Sequence, residues 1–139
     1  MIADTGFWLA LANTKDRHHA RAVTVARALR EPLVTTWPVM TETCHLMLSR
    51  LGGAAEIAFV RSICQGACEL FQVTDAHLAR IEELMQRYGD LPMDLADASL
   101  VILAEERGSG RILSTDERDF ATYRWKNHKP FKNVLLPSM

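Results

Sequence analysis

The chain has 139 residues, 48% of them hydrophobic and 24% charged, with 16 Lys and Arg against 17 Asp and Glu. A chain of this size supports one domain, residues 1–139, that can bury roughly two-thirds of its unfolded surface without staples. The balance excludes a wholly basic nucleic-acid coat, an acidic disordered tail and a collagen-like fibre, and a net charge of −1 favours a partner.

Short apolar runs alternate with longer helical ones. Met1–Asp4 reads as a short strand, and Thr5–Ala12 (TGFWLALA) as a buried helix. Asp16–Arg30, rich in Ala and Arg behind a capping-type Asp, reads as an amphipathic helix. Pro32–Thr36 (PLVTT) is strand-like. Pro38 suits the first turn of a helix that runs to about Leu51 and stops at Gly52-Gly53. Ala54–Gln65 is a further helix, Glu69–Val73 a strand, and Asp75–Tyr88 a helix ended by Gly89. Asp94–Arg107 is apolar nearly all round, so it belongs at the centre; Gly108 ends it. Arg111–Ser114 (RILS) is a buried strand and Asn133–Leu136 the last one. Helices between about five short strands predict an α/β fold on a mainly parallel sheet.

No apolar stretch approaches the ~20 residues of a membrane span. The start, Met1-Ile2-Ala3-Asp4, has no basic segment, so the expected location is cytoplasmic, without membrane contact. Three cysteines cannot close a disulfide framework. Cys64 and Cys68, four apart, fit either a metal or redox pair on one helix face or, the preferred reading, buried small hydrophobes.

Ligands of parallel sheets gather beyond the carboxyl ends of the strands, and there the acids collect. Asp4 closes the first strand. Glu42 lies about one turn into the helix after PLVTT. Asp94 and Asp97 open the central helix, and Asp116 follows RILS by two residues. Each has a structural alternative: Asp94 with Asp97 and Asp116 with Asp119 fit helix caps, Glu42 an exposed helix residue, Asp4 a cap. Together they are harder to dismiss, because no Lys or Arg lies within a turn of Asp4, Glu42 or Asp97. Two carboxylates ~5 Å apart at an effective dielectric of ~20 repel by about 3 kcal/mol, so such a group must protonate, spread out or hold cations. All-oxygen ligands suit Mg²⁺ or Mn²⁺, and one or two such ions among acids are used for phosphodiester hydrolysis.

The pieces IADTGFWLALAN, KDRHHARA, TTWPVMTETCHLML, PMDLADASLVILAEERG and RILSTDERDF, in this order and spacing, resemble a PIN-domain ribonuclease of the VapC toxin type over nearly the whole chain. The resemblance implies a three-layer α/β/α fold and an endoribonuclease that uses Mg²⁺ or Mn²⁺ and leaves a 5′-phosphate and a 3′-hydroxyl. It also implies a small antitoxin partner and a homodimer. It assigns the acids as catalytic and metal-holding: Asp4, Glu42 and Asp97 as the stronger ligands and Asp116 in support. Thr5 and Ser114 match the family hydroxyls, and Asp94 and Asp119 are supporting acids or caps.

The overall charge is uneven. Residues 120–139 hold Arg124, Lys126, Lys129 and Lys132 and no acid, which leaves 12 bases against 17 acids, or −5, in residues 1–119. This basic tail is a candidate RNA contact, with Trp125 as a stacking surface; a solvated segment that covers the core is the alternative. Arg17, His18, His19 and Arg21 form a second basic group. Phe7, Trp8, Leu11, Ile57, Phe59 and Val60 suit the core or a partner surface. Other readings are an RNA-processing nuclease of the same fold with no antitoxin, a receiver-like Mg²⁺-binding signalling module and an inactive binding domain. The receiver class wants paired acids after its first strand and a late Lys, which Asp4 and RILSTDERDF do not supply.

Overall fold

The computed structural model describes residues 1–137. Its strands are β1 (Ile2–Ala3), β2 (Val34–Thr36), β3 (Glu69–Phe71), β4 (Arg111–Leu113), β5 (Arg124–Trp125), β6 (Lys129–Pro130) and β7 (Lys132–Asn133). Five of them form a parallel sheet in the order β3-β2-β1-β4-β7, and β5 pairs antiparallel with β6 in a separate hairpin. The helices are α1 (Thr5–Ala12), α2 (His19–Ala28), α3 (Trp37–Leu51), α4 (Gly53–Cys64), α5 (Leu78–Arg87), α6 (Leu95–Arg107) and α7 (Glu117–Thr122).

Alternation along the strands divides the interior into two cores. Ile2, Val34 and Ile112 face α5 and α6; Ala3 and Leu113, next to them in sequence, face α1, α2 and α4. This is the expected three-layer α/β/α arrangement. The apolar helix α6 is buried from Ala98 through Ala104, and a left-handed Gly108 (φ 68°) caps it. The central strands β2, β1 and β4 are paired on both sides, so two or three residues suffice there.

Several expectations need correction. The helix expected at Asp16–Arg30 begins only at His19. Asp16 instead stabilises a turn, its carboxylate accepting from the His18 N–H at 2.8 Å and its own N–H donating to the Asn13 carbonyl at 3.0 Å. The helix expected at Asp75–Tyr88 opens as a 3₁₀ turn, Asp75–His77, because the Thr74 and His77 side chains each accept from the other's backbone. The last strand pairs at Lys132–Asn133 rather than across Asn133–Leu136. Asn133 Oδ1 accepts from the N–H groups of Leu135 and Leu136 at 3.1 and 3.3 Å and turns the chain away. Cys64 ends α4 and is exposed, while Cys68 lies beyond a turn and is buried, so they share no helix face. Phe7, Trp8 and Phe59 belong to the core, whereas Ile57 and Val60 stand exposed. No described helix is long and apolar enough to cross a membrane.

Because α6 touches β1, β2, α3 and α5, its core side chains carry the fold. Truncating the fully buried Leu103 to Ala should cost about 2–5 kcal/mol, read as a lower urea midpoint.

Candidate active site

The sheet order places its topological switch point between β1 and β4, where the chain leaves β1 toward β2 on one side and returns through β4 on the other. Open α/β sheets bind ligands at such a point, beyond the strand carboxyl ends. Asp4 and the Ser114–Asp116 turn flank it.

Asp4 is 7% exposed and held from two sides. One carboxylate oxygen accepts from the Thr5 N–H at 2.8 Å, which caps α1; the other accepts from the Ser114 hydroxyl at 2.8 Å. Ser114 Oγ in turn accepts from the Asp116 N–H at 2.9 Å. Gly6 lets this turn close, since a Cβ there would fall on the Thr115 hydroxyl. Asn133 braces it from β7, accepting from the Ser114 N–H at 3.3 Å and donating to its carbonyl at 2.9 Å.

Hydroxyls position the second acid. Thr43 donates to Thr5 at 3.3 Å, and the Thr5 hydroxyl stands near enough to Glu42 to favour its charged form. At the start of α3, Thr36 Oγ1 lies 2.6 Å from Ser99 Oγ, and Ser99 donates to the Ala96 carbonyl at 2.6 Å. This buried chain ties the end of β2 to the first turn of α6, and so ties Glu42 to the acids there. Asp94 caps α6, accepting from the Asp97 N–H at 2.8 Å, and also lies within hydrogen-bonding reach of Glu42. The Tyr123 hydroxyl, at the end of α7, donates to Asp97 Oδ2 at 2.8 Å. Asp116 caps α7 by accepting from the Asp119 N–H at 2.9 Å. The sequence therefore held two meanings at once for Asp94 and Asp116: each is a cap, and each stands in the acid group.

Electrostatically the group is uncompensated. Among the described residues no Lys, Arg or His ion-pairs with Asp4, Glu42, Asp94, Asp97 or Asp116; only Asp119 has a partner, Arg118 at 3.4 Å. Burial pushes the Asp4 carboxyl up to about 6, against the pull of Ser114 and Thr5, with Glu42 and Asp116 adding repulsion. Burial, then the Asp94 charge, pushes Asp97 up to about 8, although Tyr123 opposes this. Glu42 and Asp116 are raised as well, chiefly by burial. Burial and the nearby Asp97 also keep Tyr123 protonated, so it remains a donor.

Among the described residues, no three His, Cys, Asp or Glu stand as a ready-made metal cage. The donor set nevertheless fits a hard divalent cation. It is all oxygen, has no side-chain cation paired with Asp4, Glu42 or Asp97 among the described residues (Arg118 acts only on Asp116 and Asp119), and includes carboxyls that burial and mutual repulsion hold back from ionising. An open group suits Mg²⁺, which is commonly held by one or two carboxylates with water and substrate phosphate completing its shell.

The basic tail lies elsewhere. Lys132 pairs with Arg111 at the start of β4, whereas the acids follow its end, and the Lys126 N–H donates to Glu105 near the far end of α6. Trp125 is not a stacking surface: it is 7% exposed, donates to the Pro130 carbonyl at 3.1 Å, and has the Lys129 ammonium over its ring at 4.9 Å. Arg124 Nη1 is engaged by the carbonyls of Ala121, Thr122 and Tyr123. Lys126, Lys129 and Lys132 are exposed but away from the acid edge. In the other basic group, Arg21 holds the C-terminal segment through the Leu135 carbonyl at 2.9 Å, and His19 bonds the Ala10 carbonyl. Tyr123, Gly6, Thr36, Thr43, Ser99 and Asn133 were not singled out from sequence. Their roles need partners distant along the chain; a Gly following Asp-Thr was the one local sign.

A five-stranded parallel sheet between helices, with an acid group at its switch point, defines the class of the fold as three-layer α/β/α. The chain belongs to the PIN-domain family, whose model matches residues 1–126, and within it to the VapC ribonucleases. It is 31% identical to the ribonuclease VapC26 of Mycobacterium tuberculosis over 89% of this chain and 92% of that one. Its fold matches VapC20 of the same organism, described as a sarcin–ricin loop cleaving toxin, with a TM-score of 0.78, 22% identity and coverage of 84% and 90%. A looser match, TM-score 0.54 at 19% identity over 89% of this chain and 84% of that one, is PAE2754 of Pyrobaculum aerophilum.

Raised carboxyls give the site a pH signature. A group whose folded value lies above its unfolded value favours the fold when protonated. That contribution is complete below the ordinary 3.8 and is lost as pH rises through about 6 for Asp4 and about 8 for Asp97. Glu31 and Glu69, held low by Arg111 and Arg107, act oppositely but are fully charged above their ordinary 4.5. In chelator, the melting temperature should fall as pH climbs from about 5 to about 8. Asp97→Asn, which keeps an acceptor for Tyr123, should flatten that fall.

Proposed function

We propose that this acid edge makes the chain a Mg²⁺- or Mn²⁺-dependent endoribonuclease, the toxin of a toxin–antitoxin pair. The reading is carried by one observation: the buried Asp4 and the half-buried Glu42, Asp97 and Asp116, from separate segments, stand close enough to raise one another, and no cation pairs with Asp4, Glu42 or Asp97 among the described residues, in a chain similar to a ribonuclease over most of its length. Asp4, Glu42 and Asp97 would hold the metal, with Asp116 in support. A divalent ion bound there supplies an activated water and a counter-charge for the phosphate.

This chain's own residues do the positioning. Ser114 and the Thr5 N–H fix both oxygens of Asp4, so the carboxylate cannot swing when a cation or phosphate arrives. The Thr43–Thr5 pair orients Glu42, and Tyr123 orients Asp97. Asp94 and Asp119 anchor helix starts and add negative charge beside Glu42 and Asp116. Among the described residues no histidine hydrogen-bonds or ion-pairs with these acids, so no imidazole is assigned as base. An antitoxin segment, a homodimer and a cytoplasmic setting complete the proposal, on the strength of the VapC relatives.

The test is a labelled RNA pool incubated with purified protein. Cutting should require Mg²⁺ or Mn²⁺ and leave 5′-phosphates. Asp4→Asn and Asp97→Asn should each lower it at least about 100-fold, since removing even the outer partners of metal ligands commonly costs 10–100-fold. Undiminished cutting by both variants would sink the assignment. Growth arrest on expression, lost in Asp4→Asn, would carry the toxin role.

A further inference from the structure

Six large apolar side chains stand exposed among the described residues, and three of them, Trp37, Leu78 and Leu95, line a single cleft. The cleft encloses about 810 Å³, within the range of ligand sites. It is continuous with the acid edge, because Glu42 and Asp94 form part of its wall. Trp37 is the first residue of α3, five positions before Glu42, and is 49% exposed. Its placement follows from the Thr36 cap, which ends β2 and starts the helix at the sheet's carboxyl edge.

We infer that this cleft holds a nucleobase of the substrate strand, stacked on Trp37, while the adjoining phosphate lies at the acid edge. The inference rests on the RNA-cleaving reading above. Its chemistry comes from the lining. No Lys or Arg faces the cleft; its lining is mostly apolar, with His45, Thr41 and Thr74 as its neutral polar groups and three carboxylates, Glu42, Asp75 and Asp94, which disfavour a phosphate. A flat neutral ring with amino donors matches both features. Adenine, cytosine and guanine present exocyclic amino groups to carboxylate acceptors, whereas uracil has no amino group and flanks its single N3–H with two carbonyls, so it fits least well. A second copy of the chain is a poorer occupant, since a two-fold contact centred here would set three carboxylates against their own copies.

Tryptophan emission reads the cleft directly, because Trp8 and Trp125 are buried at 5% and 7% exposure. Oligo-A, oligo-C and oligo-U are titrated separately into the non-cleaving Asp97→Asn protein. Oligo-A and oligo-C should quench the emission, and oligo-U least. Adding Trp37→Leu should abolish the quench and weaken binding of labelled oligo-A roughly 5- to 100-fold, the usual effect of losing one stacked base. Leu48→Ala, on the neighbouring groove, should leave binding unchanged. With Asp97 intact, Trp37→Leu should raise KM by a similar factor and leave kcat within a few-fold. Trp37→Leu is at an exposed position, and an unaltered melting curve will confirm that it folds. Equal affinity with and without the indole overturns the inference, as does emission that responds to protein concentration and not to RNA. Quenching is measured without turnover, so a cleft that fails is distinguishable from a protein that cuts no RNA.

Discussion

A carboxylate buried without a cation is the constraint around which this molecule is arranged. Asp4 sits almost fully covered at the crossing point of the sheet, where only Ser114 and a backbone N–H temper its charge. Each neighbouring acid raises the energy of the others in a medium where water screens poorly. Such a group contributes little to stability as it stands. In the function proposed for it, the group is a place kept ready for positive charge.

Neutral groups keep the acids in place. Thr36 with Ser99, Thr43 with Thr5, Ser114 with Asp4 and Tyr123 with Asp97 join elements far apart in sequence. A hydroxyl orients a carboxylate without neutralising it. An arginine in the same position would fix the geometry equally well but would satisfy the charge and compete with a cation. Arginines occur instead away from this edge, where Arg80 pairs with Glu105, Arg107 with Glu69 and Arg111 with Glu31. The division has one exception, Arg118, which pairs with Asp119 and lies near enough to Asp116 to pull on its charge; otherwise ion pairs stand on the outside and acids with hydroxyls at the edge.

Much of this was legible in the chain. The eleven predicted elements all appear, because apolar runs, Pro38, Gly52 and Gly108 are local signals whose physics acts within a few residues. Helix α7 and the β5–β6 hairpin were not expected, and the three shifted elements share a cause. At Asp16, Thr74 and Asn133 a side chain bonds nearby backbone and diverts it from the regular element that periodicity suggested. The acid group was visible because Asp4, Glu42, Asp97 and Asp116 each fall just beyond a strand or in the helix that follows it. For the basic tail, composition shows charge but not direction. The pairing of Lys132 with Arg111 puts that segment toward the opposite end of the sheet, and Trp125, aromatic and flanked by lysines, turns inward to the core.

The sequence by itself determined the order of elements, the central apolar helix and the supply of carboxylates without nearby bases, since these depend on short-range periodicity and on residue type. Tertiary structure alone decided which acids meet, which hydroxyls hold them and which tryptophan faces the solvent. Those outcomes turn on strand order and on contacts between residues as far apart as Asp4 and Ser114, and no local pattern in the chain encodes such a distance.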